Sequence, residues 1–179
     1  ANYKNGSITL PTPTRNNYKF LGWYTSLSST SKLSTEYTPT KNIKLYAKWE
    51  QEKYTLTIDP NKGTWNGSTN KSTFTATAGS TKTISNPKKT GYTVKFNTNG
   101  GSTPVSSKTS SEVFNKWVLD GKGSLSGTTF TFRNGNATLT ANYSNGSITL
   151  PKPTRKYYNF LGWYTKKSGG TKEGTTGSY

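Results

Sequence analysis

The chain has 179 residues, 28% of them hydrophobic, and a formal charge of +17 from 24 basic and seven acidic side chains. Histidine and cysteine are both absent, which removes the commonest general base, the strongest side-chain nucleophile, disulfide staples and thiolate zinc sites. The small apolar fraction excludes one large core in favour of several units of roughly 70 residues, near the lower size limit for folding alone, and no apolar run approaches the length of a membrane span.

The predicted elements begin with a turn at Asn5-Gly6 and a proline corner at Pro13, which leads into the aromatic strand Phe20-Leu-Gly-Trp-Tyr-Thr25. After a long loop comes Ile43-Lys-Leu-Tyr-Ala-Lys-Trp49, in which apolar and polar residues alternate, so that one face turns inward and the other meets water. Tyr54-Thr-Leu-Thr-Ile58, Phe74-Thr-Ala-Thr-Ala78 and Phe130-Thr-Phe132 alternate in the same way and read as strands. Turn signals suited to positive φ divide them at Asn66-Gly67, Asn99-Gly100, Asp120-Gly121, Asn134-Gly135 and Asn145-Gly146. The best helix candidates, 31–37 and 110–117, are short and poorly capped, and no segment carries a convincing helical period. The expected fold is mainly β with little helix.

Repetition organises these elements. Residues 1–25 and 141–165 agree at 20 of 25 positions at a constant offset of 140, as in arrays that supply reach, surface or multivalency. A shorter period lies within. Pro13 and Tyr18, Pro87 and Tyr92, and Pro153 and Tyr158 share a spacing of five, each preceded by an aliphatic residue at Leu10, Ile84 or Leu150. An aromatic pair spaced by three follows as Phe20 and Trp23, Phe114 and Trp117, and Phe160 and Trp163. Trp49 and Tyr143 then close two alternating runs, 26 residues after Trp23 and Trp117. Tyr54, Leu56, Ile58 and Asn61-Lys62-Gly63 match Tyr92, Val94, Phe96 and Asn99-Gly100-Gly101. The resulting division is a repeat unit at 1–49, a linker at 50–53, the strand-turn part of a second unit at 54–93, a second-type unit at 94–143 and the start of the next unit at 144–179. Both ends fall inside a motif, so the expectation is a window on a longer repetitive protein.

Phe20-Leu-Gly-Trp-Tyr-Thr25, followed by Tyr37-Thr-Pro-Thr and Ile43-Lys-Leu-Tyr-Ala-Lys-Trp49, resembles the Listeria–Bacteroides repeat, the B repeat of internalin B-type surface proteins. Phe160-Leu-Gly-Trp-Tyr-Thr165 restates the central signature. Phe114-Asn-Lys-Trp117 departs from it by lacking the glycine, and Tyr143 stands where the closing tryptophan belongs. The resemblance implies small β-grasp-like units strung in an elongated tandem array on a secreted or cell-surface bacterial protein. It implies no catalysis and no cofactor.

The seven carboxylates, Glu36, Glu50, Glu52, Asp59, Glu112, Asp120 and Glu173, suggest no buried acid pair of the kind glycoside hydrolysis needs. Asp59-Pro-Asn-Lys-Gly63 has the opening rhythm of a calcium loop, but Asn70 at the twelfth position and the lysine argue for a plain turn and no metal. Glu112 beside Phe114 is the candidate acid for a Lys-to-Asn isopeptide bond. Trp65, in a turn-rich stretch without a matched copy, and Tyr157, whose counterpart is Asn17, are the candidate ligand contacts. Asn-x-Ser/Thr sequons at Asn5, Asn66, Asn70, Asn136, Asn142 and Asn145 reflect composition. The 21 lysines and three arginines are spread along the chain, a diffuse field without the clustered arginines of sequence-specific nucleic-acid readers. The expected role is a non-catalytic stalk, fibre or adhesin shaft that meets neighbouring repeats or copies of itself. The alternative is a module for anionic polymers such as wall teichoic acid, polysaccharide, glycosaminoglycan or extracellular DNA.

Overall fold

A computed structural model describes residues 6–174 and the backbone of 177–178. The Asn5 sequon and the first residue of the Asn5-Gly6 turn lie outside the described residues. The chain is mainly β, with no helix among the described residues.

The first repeat forms β1 (Ile8–Thr9), β2 (Tyr18–Tyr24), β3 (Glu36–Tyr37) and β4 (Tyr46–Gln51). The middle of the chain forms β5 (Lys53–Asp59), β6 (Ser72–Thr77), β7 (Thr81–Thr83), β8 (Lys89–Lys95), β9 (Ser107–Gly121), β10 (Ser124–Ser126), β11 (Thr129–Thr131) and β12 (Ala137–Ser144). The second repeat adds β13 (Thr149–Leu150), β14 (Trp163–Tyr164), β15 (Lys172–Gly174) and β16 (Gly177–Ser178). Five strands form a sheet in the order β6-β5-β12-β9-β8, and β10-β11-β7 form a smaller one. Helix candidate 110–117 lies inside β9, and 31–37 is a loop that ends in β3.

The chain packs as two compact units, one of Ala1–Thr57, Thr73–Ile84 and Leu119–Thr138, the other of Ile58–Ser72, Ser85–Val118 and Leu139–Tyr179. In the first, Leu10, Leu56, Ile84, Phe130, Phe132 and Ala137 are buried. Phe130 and Phe132, two residues apart on an extended chain, share a face and meet edge to face at 5.2 Å. Each leucine, isoleucine or phenylalanine side chain buried here contributes about 1.5–3 kcal/mol.

In the second unit the core comprises Ile58, Trp65, Trp117, Leu139, Ala141, Ile148 and Leu150. Asn66-Gly67 makes the expected two-residue hairpin, with φ of 47° and 80° and reciprocal bonds between Trp65 and Ser68 at 2.8 and 3.0 Å. Asn99-Gly100, at 49° and 85°, has the same left-handed pair. Asn145-Gly146 differs, since neither residue has positive φ. Gly146 is required there because a Cβ would run into the Ser111 carbonyl oxygen. The Asp59-to-Gly63 stretch is a turn: Asp59 accepts from the Asn61 N–H at 2.8 Å and pairs with Lys71 at 2.9 Å. Its neighbour Asn61 donates to the Ala141 carbonyl at 3.0 Å, and Tyr143 donates its hydroxyl to the Pro60 carbonyl at 3.0 Å.

Candidate functional site

The repeated aromatic strand is the best-defined feature shared by the two repeats. On a regular strand, residues three apart face opposite sides, yet Phe20 and Trp23 meet edge to face at 5.7 Å. The register against β4 explains this: Phe20 faces Trp49 and Gly22 faces Lys48, so Leu21 is an extra residue in a β-bulge. The bulge turns Trp23 back to the Phe20 face, where Trp49 also stacks on Phe20 at 5.2 Å. Glycine is needed at its centre because Gly22 has φ 145° and its α-carbon is crossed by the Lys32 side chain. The Trp23 indole N–H donates to the Pro11 carbonyl at 2.7 Å, which ties the strand to the proline corner. Arg15 lies over the Tyr18 ring at 3.7 Å.

The second repeat reproduces these contacts. Phe160 and Trp163 are 5.5 Å apart, the Trp163 indole donates to the Pro151 carbonyl at 2.8 Å, and Arg155 lies over Tyr158 at 4.1 Å. Gly162 has φ 142° and meets the Lys172 side chain. Arg155 also donates to the Asn99 carbonyl at 2.9 Å, and Phe96 packs on Trp163 at 5.0 Å. A cleft of about 690 Å³ runs beside this segment, with Lys95, Arg155, Lys166 and Lys167 among its lining residues and no carboxylate.

The third aromatic pair, Phe114 and Trp117, meets at 5.5 Å without a glycine. Exposure along β9 alternates up to Phe114 and then skips a residue, with Asn115 and Lys116 both outward and Trp117 inward. Asn115 bonds Asn142 and Ser144, each at 3.1 Å. Ser85 stands where the other repeats have Pro11 and Pro151, yet its carbonyl accepts from the Trp65 indole at 2.9 Å. The Trp117 indole N–H is buried with no hydrogen-bond partner among the described residues.

Trp65 is thus buried, 4% exposed, and fills a core position. Tyr157 is 89% exposed with φ 66°, in the place of Asn17 with φ 63°, and Lys156 lies 4.8 Å over its ring. Glu112 faces Lys89 across β8 and β9 and pairs with it at 2.9 Å, both side chains mostly buried. It shares a cavity of about 280 Å³ with Tyr92, Val94, Ser110, Asn145, Gly146 and Ile148. Tyr143 lies close by, with Lys89 at 5.0 Å over its ring, and burial, helped by the Glu112 charge, raises its phenol above the ordinary value. Glu36 is held below its ordinary value by hydrogen bonds from Thr9 and Ser7 at 2.6 and 2.9 Å. Asp59 is lowered by Lys71 and by the Asn61 N–H, against the opposing effect of burial. Arg15 and Arg155 do more than add charge, and the Arg-x-x-Tyr spacing, present in both repeats, is the signal that they cap a tyrosine.

An aromatic pair anchored to a proline carbonyl, present twice with the same indole bond, arginine cap and positive-φ glycine, defines a tandem β-repeat protein. Residues 1–48 and 127–178, more than half the chain, match the Listeria-Bacteroides repeat domain, and the chain belongs to that family. Repeats of this family are typical of bacterial surface proteins, which points to an extracellular repeat region. No solved structure matches the chain.

Proposed function

We propose that this segment is a non-catalytic structural part of a large extracellular bacterial protein, a stalk, fibre or adhesin shaft built from β-grasp-like units. The carrying observation is that two sequence repeats hold the same aromatic pair, indole-to-proline bond and arginine cap, so the repeated feature is a scaffold element. No histidine or cysteine is present to serve as base or nucleophile. Neighbour contacts between such small units add stability along an array. The test is electron microscopy of intact producing cells labelled with an antibody against this segment: label along thin projections away from the envelope supports the shaft, and label confined to the envelope refutes it.

A second reading, attachment to an anionic polymer, is favoured by the charge balance. The described residues form two ion pairs, Lys71 with Asp59 and Lys89 with Glu112, against 24 basic side chains in the sequence. Summed weak contacts from repeated basic surfaces gain through effective concentration and weaken steeply with salt. Envelope label that is released by raised salt is the outcome this reading expects.

A further inference from the structure

The second-type unit departs from the first repeat at two facing positions. Phe114 and Tyr143 correspond to Phe20 and Trp49, which stand opposite each other in β2 and β4, and they too meet, at 6.0 Å. Two residues away along the same strand pair, the first repeat sets Tyr18 opposite Gln51; the same step in β9 and β12 leads to Glu112 and Asn145. Past the end of β12 the chain still follows β9, since the Gly146 backbone packs against the Ser111 backbone. Glu112 and Asn145 line one cavity of about 280 Å³. On the other side of β9, Lys89 is the cross-strand partner of Glu112, its ammonium 2.9 Å from the carboxylate, with the two side chains only 21% and 13% exposed. That ammonium also lies 5.0 Å over the Tyr143 ring, so it already extends across β9 toward the strand that leads into Asn145. A lysine, an acid and an asparagine thus form a row over three neighbouring chain segments, beside the rings of Phe114 and Tyr143. Two strand spacings, about 10 Å, separate the outer backbones, a gap that an extended lysine and an asparagine side chain close between them.

We propose that Lys89 and Asn145 become joined by an intramolecular isopeptide bond whose formation Glu112 promotes. The inference goes beyond the shaft reading and does not depend on it. Proton transfer within the Lys89–Glu112 pair leaves a neutral amine, the nucleophile, and a carboxylic acid. The acid donates a hydrogen bond to Oδ1 of Asn145 as Nζ attacks Cγ, so that the new C–N bond forms while the carbonyl π electrons move onto oxygen. Glu112 gives its proton to Nδ2 and takes one from the attacking nitrogen; the Cγ–Nδ2 bond breaks and ammonia leaves, carrying off the remaining proton as ammonium. No oxidant, reductant or external acyl donor is needed. The reaction happens once per unit and turns over no substrate. Its product ties β8, the edge strand of the five-stranded sheet, covalently across β9 to the segment after β12.

The test is the intact mass of the folded, purified chain, read under denaturing conditions, followed by digestion. A mass below that of the sequence by one ammonia is expected, with a pair of peptides joined through residues 89 and 145. Lys89→Arg keeps the charge but not the amine, and Asn145→Ala changes an exposed side chain; both should fold as the parent does by circular dichroism and show their full sequence masses. Glu112→Gln should show its full mass as well. A folded parent at the full sequence mass would overturn the assignment, and so would a cross-link elsewhere or an ammonia loss that survives in Glu112→Gln. A loss that survives in Lys89→Arg would also overturn it, because a succinimide at one of the Asn-Gly turns gives the same mass. The parent and Asn145→Ala decide the matter even where Glu112→Gln fails to fold.

Discussion

Replacing each repeated tryptophan by phenylalanine keeps an aromatic ring and deletes the indole N–H, and the three sites differ in what that N–H does. Trp163 donates to the Pro151 carbonyl at 2.8 Å, so Trp163→Phe loses a hydrogen bond with a net value of about 0.5–1.5 kcal/mol, plus some packing. Trp117 lies in the same compact unit and is 9% exposed, but its N–H has no partner among the described residues. Trp117→Phe therefore removes a buried unsatisfied donor, a relief of about 1–3 kcal/mol. Against this stands the smaller ring; about 30 Å² less apolar burial costs roughly 0.8 kcal/mol. The Trp117 variant should be as stable as the parent or more so, and at least about 1 kcal/mol more stable than Trp163→Phe. Trp23→Phe should behave like Trp163→Phe, since its indole bonds the Pro11 carbonyl at 2.7 Å. Urea unfolding followed by far-ultraviolet circular dichroism measures the differences, and indole proton exchange in the parent should be slower at Trp163 than the burial of Trp117 alone would suggest. If Trp117→Phe destabilises as much as Trp163→Phe, the donor is satisfied in solution and the reasoning fails.

Tyr157→Asn should stabilise the second unit by about 0.5–1 kcal/mol in urea melts, because Tyr157 holds φ 66° with 89% of its surface exposed, and asparagine, found at φ 63° in the first repeat, tolerates that region better. Gly162→Ala should cost more than Gly22→Ala, since a Cβ at Gly162 meets the Gly174 carbonyl oxygen at 2.9 Å while at Gly22 the nearest atoms belong to the flexible Lys32 side chain; equal losses would show that the bulge conformation alone sets the cost. Acid titration provides a further check. Glu36 and Asp59 are held below their ordinary values of 4.5 and 3.8, so the unfolded chain binds their protons more readily; the stability they contribute is present above those values and lost as the pH falls through the lower folded ones. The Glu36→Gln, Asp59→Asn double variant should show a shallower stability loss below about pH 4.5, and an unchanged slope would discount both groups.

The alternating strands were legible because their burial is one-sided: β5 buries Leu56 and Ile58, and β12 buries Ala137, Leu139 and Ala141, each at a period of two. The aromatic pair at a spacing of three was visible as a repeat but not as a bulge, since that spacing contradicts the strand period and only Gly22 hinted at the extra residue. Residues 110–117 carry no strong local preference for either state, and strands β8 and β12 on either side of β9 in the sheet decide the matter. Trp65 marks the limit of local reading. Its partner carbonyl, at Ser85, lies 20 residues onward, and nothing around Asn66-Gly67 distinguishes a tryptophan that enters a core from one that faces solvent. Pairing over such distances is settled by the sheet as a whole, and the order β6-β5-β12-β9-β8 interleaves strands far apart in the chain.

The pairing of β2 with β4 joins residues between 22 and 33 positions apart, from Tyr24 with Tyr46 to Tyr18 with Gln51. During synthesis β2 must therefore wait for β4, with a bare ladder edge and several ring faces on offer to any other nascent chain. Such a segment invites edge-to-edge aggregation. Lys156, Lys166 and Lys167 bracket the second aromatic segment, where the first has Asn16, Ser26 and Leu27. Flanking charge of this kind repels like-charged neighbours until the correct strand arrives, so part of the basic excess acts in the order of assembly, before any folded surface exists to display it.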